Sequence, residues 1–523
     1  MNDPNGLFYS PTQRLYHLYY QYNPTALVAG DQHWGHATSP DLYHWTNQPI
    51  ALSPPAPSTF VFSGSAVVDV NNTSGFFAGG HQDGVVAIFT LAEYHPDGTA
   101  GPQTQNIAYS SDGGYTFTYW DEGNPVMAGE GGGSSQFRDP KVIWHGQTNA
   151  WVAVIAYAQD FVVGIWTSPD LKNWTWASNF SRNGLLGAQW ECPNLVRLPV
   201  QPGVVLDDGE DAYVLAISLQ PGAPLGGSAT QYFPGRFNGT HFVPLDGVTR
   251  LTDFGKDNYA AQYFYSLEGR NETVNIGWAS NWQYAQDVPT DREGWRSAMT
   301  LPRRSHLANV TRIGLVMVDE LVDPAPVLDS LLVSEGWEGN RSVTVDYAGV
   351  ESNALYIDVN VTGLDAGKIS ASSILRMAFS SPASGEALRS GFYFGGDQPF
   401  FVDRGLVRGF DNVFFTDKIS VADVWNTTSG KWRFQGVIDR SMYEVFLDGG
   451  VHAGTVLFYP TELLTVLSLS TSDLPPGTQV SVAVWGLKST WTEAKDGPRA
   501  VGAKISETRT WSAEYKTDFT LSM

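Results

Sequence analysis

Ser39-Pro40-Asp41-Leu42-Tyr43-His44-Trp45 returns later in the chain as Ser168-Pro169-Asp170-Leu171-Lys172-Asn173-Trp174. Between the two, Ser111-Asp112-Gly113-Gly114 runs into Phe117. Ser and Asp side chains in such stretches close turns by accepting bonds from nearby backbone N–H groups. Each copy follows a short run of alternating apolar residues, so one strand-and-turn unit is being reused. Outward from these turns, residues 15–21, 85–92, 151–157, 212–218 and 274–280 read as strands, and helical periodicity is nearly absent. The expected fold class is therefore all-β. Several runs open on a polar tip: Asn2-Asp3-Pro4, Phe62-Ser63-Gly64, Arg138-Asp139-Pro140 and Glu191-Cys192-Pro193. Blocks of roughly 50–70 residues that begin this way predict the blades of a β-propeller, with the first strand of each blade lining a central channel. A β-sandwich enzyme is the alternative architecture.

Near residue 320 the texture changes. Asp319-Glu320-Leu321-Val322-Asp323-Pro324-Ala325-Pro326 reads as a connector, because its prolines interrupt regular structure. Beyond it, longer and evenly spaced strands at 342–347, 355–361, 391–394 and 443–447 suit a β-sandwich. The expected organisation is a catalytic propeller over 1–318, a linker over 319–332 and a sandwich over 333–523. The second domain is expected to serve stability or contacts between subunits, a homodimer being one form of the latter.

A chain of 523 residues exceeds one ordinary core, in keeping with two domains. The net charge of −22 disfavours nucleic acid and anionic membrane surfaces as partners. No apolar run approaches the roughly 20 residues of a membrane span. The single cysteine, Cys192, excludes an intrachain disulfide. Ten Asn-x-Ser/Thr sequons, at Asn71, Asn72, Asn173, Asn179, Asn238, Asn271, Asn309, Asn340, Asn360 and Asn426, point to a secreted protein carrying N-glycans. The chain opens on Met1-Asn2-Asp3-Pro4 with no leader visible, so a trimmed start or unconventional export is expected.

Three acids stand out by context: Asp3 in Met-Asn-Asp-Pro-Asn-Gly, Asp139 in Phe-Arg-Asp-Pro and Glu191 in Trp-Glu-Cys-Pro. Each lies one or two residues before a proline at the start of an apolar run. Proline fixes the local backbone and stiffens the frame that aims the carboxylate. Glycosidic cleavage needs such a pair, one carboxylate to attack or activate water and one acid to protonate the leaving oxygen. One acid among the 53 in this chain means little by itself; three in the same context mean more.

With these boxes the sequence resembles glycoside hydrolase family 32, the invertases, inulinases and fructosyltransferases. The likeness also covers Gln21-Tyr22-Asn23-Pro24, Trp34-Gly35-His36, Phe62-Ser63-Gly64-Ser65, residues 257–261, 277–284 and 295–299, and Asp439-Arg440-Ser441 through Glu444-Val445-Phe446. The resemblance implies a five-bladed propeller followed by a β-sandwich, and retaining cleavage of terminal β-D-fructofuranosides such as sucrose and short fructo-oligosaccharides. It implies Asp3 as nucleophile, Asp139 as transition-state stabiliser and Glu191 as acid/base. It further implies that Asn2, Gln21, Phe62, Ser63 and Trp282 line the fructose subsite; Asn5, Trp34 and Arg138, the last a cation beside the acids, are further candidate sugar-binding residues. No cofactor is expected, and no metal, because the ten histidines lack a close-spaced ligand set. Asp3 is expected to be ionised with help from hydrogen-bond donors, and Glu191 to keep its proton through burial beside Trp190 and Cys192.

Two departures bear on specificity. Many members of the family carry a Trp eight residues after the Gln of Gln-Tyr-Asn-Pro, where this chain has Ala29. Asn194 follows Cys-Pro where several invertases have Asp. Fructosyl transfer at high sucrose is expected beside hydrolysis, and a dedicated fructosyltransferase or an exo-inulinase stays open. A sialidase-like propeller would be suggested by Ser110-Ser111-Asp112-Gly113-Gly114, but no arginine set for an acidic sugar accompanies it. A non-catalytic fructan-binding protein would be signalled by loss of one of the three acids, and all are present.

Overall fold

The computed structural model describes residues 1–490 apart from 78–82, 130–131, 205–211, 268–271, 311–312, 398 and 423–428. Asn271, Asn426 and the expected end of the second domain, 491–523, lie outside the described residues. Five antiparallel sheets follow one another along the chain, each with its strands in sequence order. Blade I is Asn2–Ser10, Leu15–Tyr22, His33–Ser39 and Thr46–Leu52. Blade II is Thr59–Val68, Val85–Tyr94 and Ala100–Ser110, edged by Thr118–Tyr119. Blade III is Phe137–His145, Ala150–Tyr157, Val162–Ser168 and Thr175–Ser181. Blade IV is Trp190–Arg197, Tyr213–Leu219, Ala229–Phe237 and Phe242–Pro244. Blade V is Tyr259–Tyr263, Val274–Ala279, Arg303–Val310 and Gly314–Leu321.

The first strand of each blade is innermost and meets the first strands of its two neighbours. The ring closes without exchanging a strand. Tyr9 N donates to Tyr265 O at 3.0 Å and Tyr265 N to Leu7 O at 2.9 Å, joining blade I to blade V. Apolar clusters fill the gaps between blades, with Phe8, Tyr19, Trp34 and Phe89 between blades I and II, and Val154, Phe180, Trp190 and Leu215 between blades III and IV.

The repeated turns join the third strand to the outer strand. In blade I, Ser39 Oγ accepts from Leu42 N at 2.8 Å and Asp41 Oδ1 from His44 N at 2.8 Å. Blade III repeats this with Asp170 Oδ1 accepting from Asn173 N at 2.8 Å. Trp45 and Trp174 each donate an indole N–H at 2.9 Å to the carbonyl of Leu42 and Leu171, both left-handed at φ 72° and 65°. The third copy is registered from Ser110, one residue earlier than the sequence suggested, because Ser110 Oγ and Asp112 Oδ1 form the equivalent bond at 2.7 Å.

Two six-stranded sheets form the sandwich. One runs Leu328–Glu338, Gln479–Leu487, Ala354–Thr362, Trp432–Asp439, Met442–Leu447, His452–Leu457. The other runs Arg341–Asp346, Val466–Ser472, Ile374–Ser380, Ala387–Tyr393, Pro399–Leu406, Lys418–Ala422. Their facing side chains, including Ile357, Phe379, Phe434 and Leu467, are fully buried.

The linker expected over 319–332 is too long. Gly314–Leu321 is the outer strand of blade V and Leu328–Glu338 already pairs with Gln479–Leu487, which leaves 322–327 between them. Asp319 reads as loop-like but continues the strand, because it is 4% exposed and accepts from Ser305 Oγ at 2.5 Å. Only Pro324 and Pro326 break the regular structure, around a short 3-10 turn.

Charged pairs buried between the domains tie them together. Arg303, 1% exposed, reaches Asp253 of the propeller and Glu444 of the sandwich, each at 2.9 Å. Arg404 of the sandwich reaches Asp257 at 2.9 Å, and the same carboxylate accepts from Leu457 N at 2.8 Å.

Candidate active site

All five innermost strands are bulged near their start. The ladder slips between Asn2 and Pro4, Val61 and Gly64, Arg138 and Lys141, Glu191 and Asn194, and Tyr259 and Gln262. Pro140 and Pro193 lie inside two of these slips and cannot donate to a ladder, so the extra residue is accommodated there, while in blade I the residue out of register is Asp3 itself. Asp139, Cys192 and Ala260 take left-handed φ values of 65°, 46° and 51° at the bulges. The bulges re-aim the tip residues toward the channel axis, and the acids converge there.

Asp3 Oδ2 accepts from Ser63 Oγ at 3.0 Å. Asp139 Oδ2 accepts from Cys192 N at 3.0 Å, and Asp139 N donates to Thr90 Oγ1 at 2.9 Å. Cys192 Sγ stands 3.8 Å from Asp3 Oδ2 and 3.6 Å from Asp139 Oδ2, so blades I, III and IV meet at one thiol. Glu191 Oε1 takes Arg138 Nη2 at 3.0 Å and Nε at 3.2 Å. Glu191 Oε2 takes Tyr259 Oη at 2.6 Å and Gln220 Nε2 at 2.9 Å. Arg138 is steadied by Gln103, Gln136 and Gln189 at 3.3, 2.9 and 3.0 Å.

Burial and the crowding of carboxyl groups shift the protonation of Asp3 and Asp139. Burial, reinforced by the charge of Glu191, pushes Asp3 up to about 6. The Ser63 and Asn2 donors act the other way and do not overcome burial. Burial also raises Asp139, with Arg138 opposing and Glu191 reinforcing the rise. The Asp3 expected to be ionised by its donors is thus held toward its neutral form by burial. Burial works against the Arg138 charge, but Glu191 and Asp139 outweigh it and keep the guanidinium protonated. Burial, then the neighbouring carboxylates, drives the Cys192 thiol far up, so it stays S–H and serves as a donor.

The site residues chosen from the sequence separate into two groups. Asp3, Ser63, Arg138, Asp139 and Glu191 are joined by the contacts above, Asn2 bonds to Asp3, half-buried Phe62 adjoins Ser63 in sequence, and half-buried Trp282 lines a cavity together with Asn2. Asn5 and Trp34 are corrections. Asn5 is fully buried and its Oδ1 accepts from Gly64 N at 3.2 Å, fastening blade II beside Ser63. Trp34 is fully buried between blades I and II, and its indole N–H donates to Phe62 O at 3.0 Å. Gln21 is 2% exposed with Nε2 on Val61 O at 3.2 Å, which makes it a support of the same strand. Trp190 points away from the acids into the core between blades III and IV and so does not shield Glu191. Sequence reasoning missed Tyr259 and Gln220 as partners of Glu191. Tyr259 lay within a family-like stretch, whereas Gln220 follows a strand with no distinguishing pattern.

Beside the acids lies a small cavity of about 30 Å³ between two walls. One wall is the loop with Leu27, Val28 and Ala29; the other is Trp278, Trp282 and Ala285, with Asn2 at the floor. Leu27 and Val28 are 42% and 43% exposed. The indoles of Trp278 and Trp282 pack edge-to-face at 4.8 Å.

Residues 1–317 match the glycosyl hydrolases family 32 N-terminal domain, and residues 338–486 match the glycosyl hydrolases family 32 C terminal. An extracellular exo-inulinase of Meyerozyma guilliermondii is 42% identical over 487 residues, covering 90% of this chain and 90% of its own length. Invertase 2 of Saccharomyces cerevisiae is 36% identical over 486 residues, covering 88% and 87%. The solved β-fructofuranosidase of Schwanniomyces occidentalis complexed with fructosyl-erythritol superposes with a TM-score of 0.82 at 34% identity, over 94% of this chain and 95% of that one.

Proposed function

Because the chain belongs to glycoside hydrolase family 32 and is a β-fructofuranosidase, we propose that it cleaves terminal β-fructofuranosides with retention, Asp3 attacking and Glu191 moving the proton. The observation that carries this reading is the convergence of Asp3, Asp139 and Glu191, from three blades, around Cys192 and Arg138. Asp3 attacks the anomeric carbon while Glu191 protonates the departing oxygen, and a fructosyl-enzyme forms. Glu191 then takes a proton from water, whose oxygen releases fructose from Asp3. A retaining pair stands about 5–5.5 Å apart, close enough for direct attack. Asp139, held by Cys192 N and Thr90, accepts from fructose hydroxyls and strengthens those bonds as positive charge develops on the ring.

Sucrose and short fructo-oligosaccharides are the proposed substrates, and the likeness to an extracellular exo-inulinase supports longer fructans and a secreted protein as well. Among the described residues no helix is long and apolar enough to cross a membrane. Fructosyl transfer to sugar acceptors is proposed at high sucrose. The testing experiment uses Glu191→Gln. Turnover of sucrose should collapse, while a fructoside with an acidic phenol leaving group, which needs little protonation, should lose far less. Equal losses on both substrates would remove Glu191 from the acid role.

A further inference from the structure

Blade III ends on the outer strand Thr175–Ser181, and that strand carries a bulge. Ile165 faces Ser178 and Trp166 faces Trp176, so Ala177 is the extra residue. An extra residue shifts the alternation of faces by one. Trp176 and Asn179, which would otherwise point to opposite sides, therefore share the outer face, while Ser178 and Phe180 turn inward and are buried. Trp176 Nε1 donates to Asn179 Oδ1 at 3.0 Å, which fixes the indole beside the amide.

We propose that Asn179, in Asn179-Phe180-Ser181, is an N-glycosylation site whose first N-acetylglucosamine lies on the Trp176 ring. Trp176 is 53% exposed, a large flat apolar surface on an unpartnered sheet edge. A pyranose presents a face of C–H groups that suits such a ring. Oδ1 is occupied by the indole, and among the described residues Nδ2 of Asn179 makes no hydrogen bond. Three other sequon amides differ: Nδ2 of Asn72 donates to Phe77 O at 2.7 Å, that of Asn173 to Asp170 Oδ2 at 2.7 Å, and that of Asn360 to Asp358 Oδ1 at 2.8 Å. The donor is a lipid-diphosphate-linked oligosaccharide of the secretory route. The bond from Nδ2 to C1 forms, the C1–O bond to the diphosphate breaks with its electron pair leaving on the diphosphate, and Nδ2 loses one proton. The site is three strands out from the channel, about 14 Å at normal strand spacing, so the glycan leaves the funnel open.

The test uses the full chain secreted from a yeast host. Glycopeptide mass spectrometry should find Asn179 occupied. Ser181→Ala, which abolishes the sequon but keeps Asn179, should lower the melting temperature by about 1–2 °C and raise iodide quenching of tryptophan fluorescence. In a Trp176→Ala background Ser181→Ala should change neither quantity, and sucrose turnover should be unaltered throughout. An unmodified Asn179, or an effect of Ser181→Ala that is the same with and without Trp176, would overturn the proposal.

Discussion

Tyr259 Oη donates to Glu191 Oε2 at 2.6 Å, from a strand whose approach is clamped by the second domain. Two residues earlier, Asp257 is fully buried and held by Arg404 at 2.9 Å and by the Leu457 backbone at 2.8 Å. Tyr284 also donates to Asp257. The sandwich thereby fixes the start of blade V, and through Tyr259 the orientation of the proposed acid/base. The proposed acid/base in the propeller is linked through Tyr259 and Asp257 to a charge contributed by the other domain.

Tyr259→Phe keeps the ring and removes the bond. Sucrose turnover is expected to fall roughly 10–100-fold, within the range of a positioned acid/base partner. A fructoside with an acidic phenol leaving group should fall much less, because a misplaced acid hardly matters there. Steady-state rates on the two substrates decide the matter, and equal losses would show that Tyr259 acts on something other than leaving-group protonation.

Asp3→Asn should separate activity from stability. Turnover is expected to drop by several orders of magnitude, since an amide cannot form the fructosyl ester. Stability should move the other way. The carboxyl rises from 3.8 to about 6 on folding, which penalises its ionised form by up to about 3 kcal/mol at pH 7. That penalty is absent below about pH 4, where both states are protonated, grows between pH 4 and 6, and is complete above 6. The variant should therefore unfold at higher temperature than wild type at pH 7 and match it near pH 4. A wild-type advantage at pH 7 would contradict the sign.

The acids were legible because chemistry and backbone use the same residues. A carboxylate shortly before proline at a strand start marks the bulge that turns it toward the channel, as at Asp139 and Glu191. Asn5 and Trp34 misled for the same reason. They lie inside motifs that resemble a sugar site, yet they bind Gly64 N and Phe62 O and act by holding blade II in place. Tyr259 could not be singled out among 23 tyrosines, because nothing local announces a partner 68 residues away. Asp319 concealed the end of blade V, since a buried hydrogen-bonded acid and a solvated loop acid look alike in sequence.

Glu444→Gln tests the other clamp. Arg303, 1% exposed to water, would keep Asp253 but lose the charge of its partner in the sandwich. Both Glu444 oxygens accept, one from Leu301 N and one from Arg303, so the amide NH2 meets a buried donor on either side, which costs about 1–3 kcal/mol. Denaturant midpoints should fall accordingly, with Glu444→Ala falling further. A midpoint unchanged in both variants would mean that water reaches Arg303 at this interface.

Ala29→Trp addresses the fate of the fructosyl-enzyme. Once the leaving sugar departs, water at ~55 M competes with any second sugar, so transfer requires an acceptor held in place long enough to offset that excess. Ala29 lies in the wall with Leu27 and Val28, facing Trp278 and Trp282 across the small cavity beside Asn2. An indole at position 29 would fill that space and remodel the proposed acceptor side, while Ser63 and Asp139, proposed to serve the fructosyl ring, lie outside the cavity lining. The expected outcome is a changed ratio of transfer to hydrolysis at high sucrose, with kcat/KM for sucrose at low concentration changed much less. Glucose and fructose release measured across sucrose concentrations gives the ratio directly, since each transfer releases glucose without fructose. A wild-type ratio fixed at one up to saturation would show that sugars are not used as acceptors, and identical ratios in wild type and Ala29→Trp would place the acceptor away from this wall.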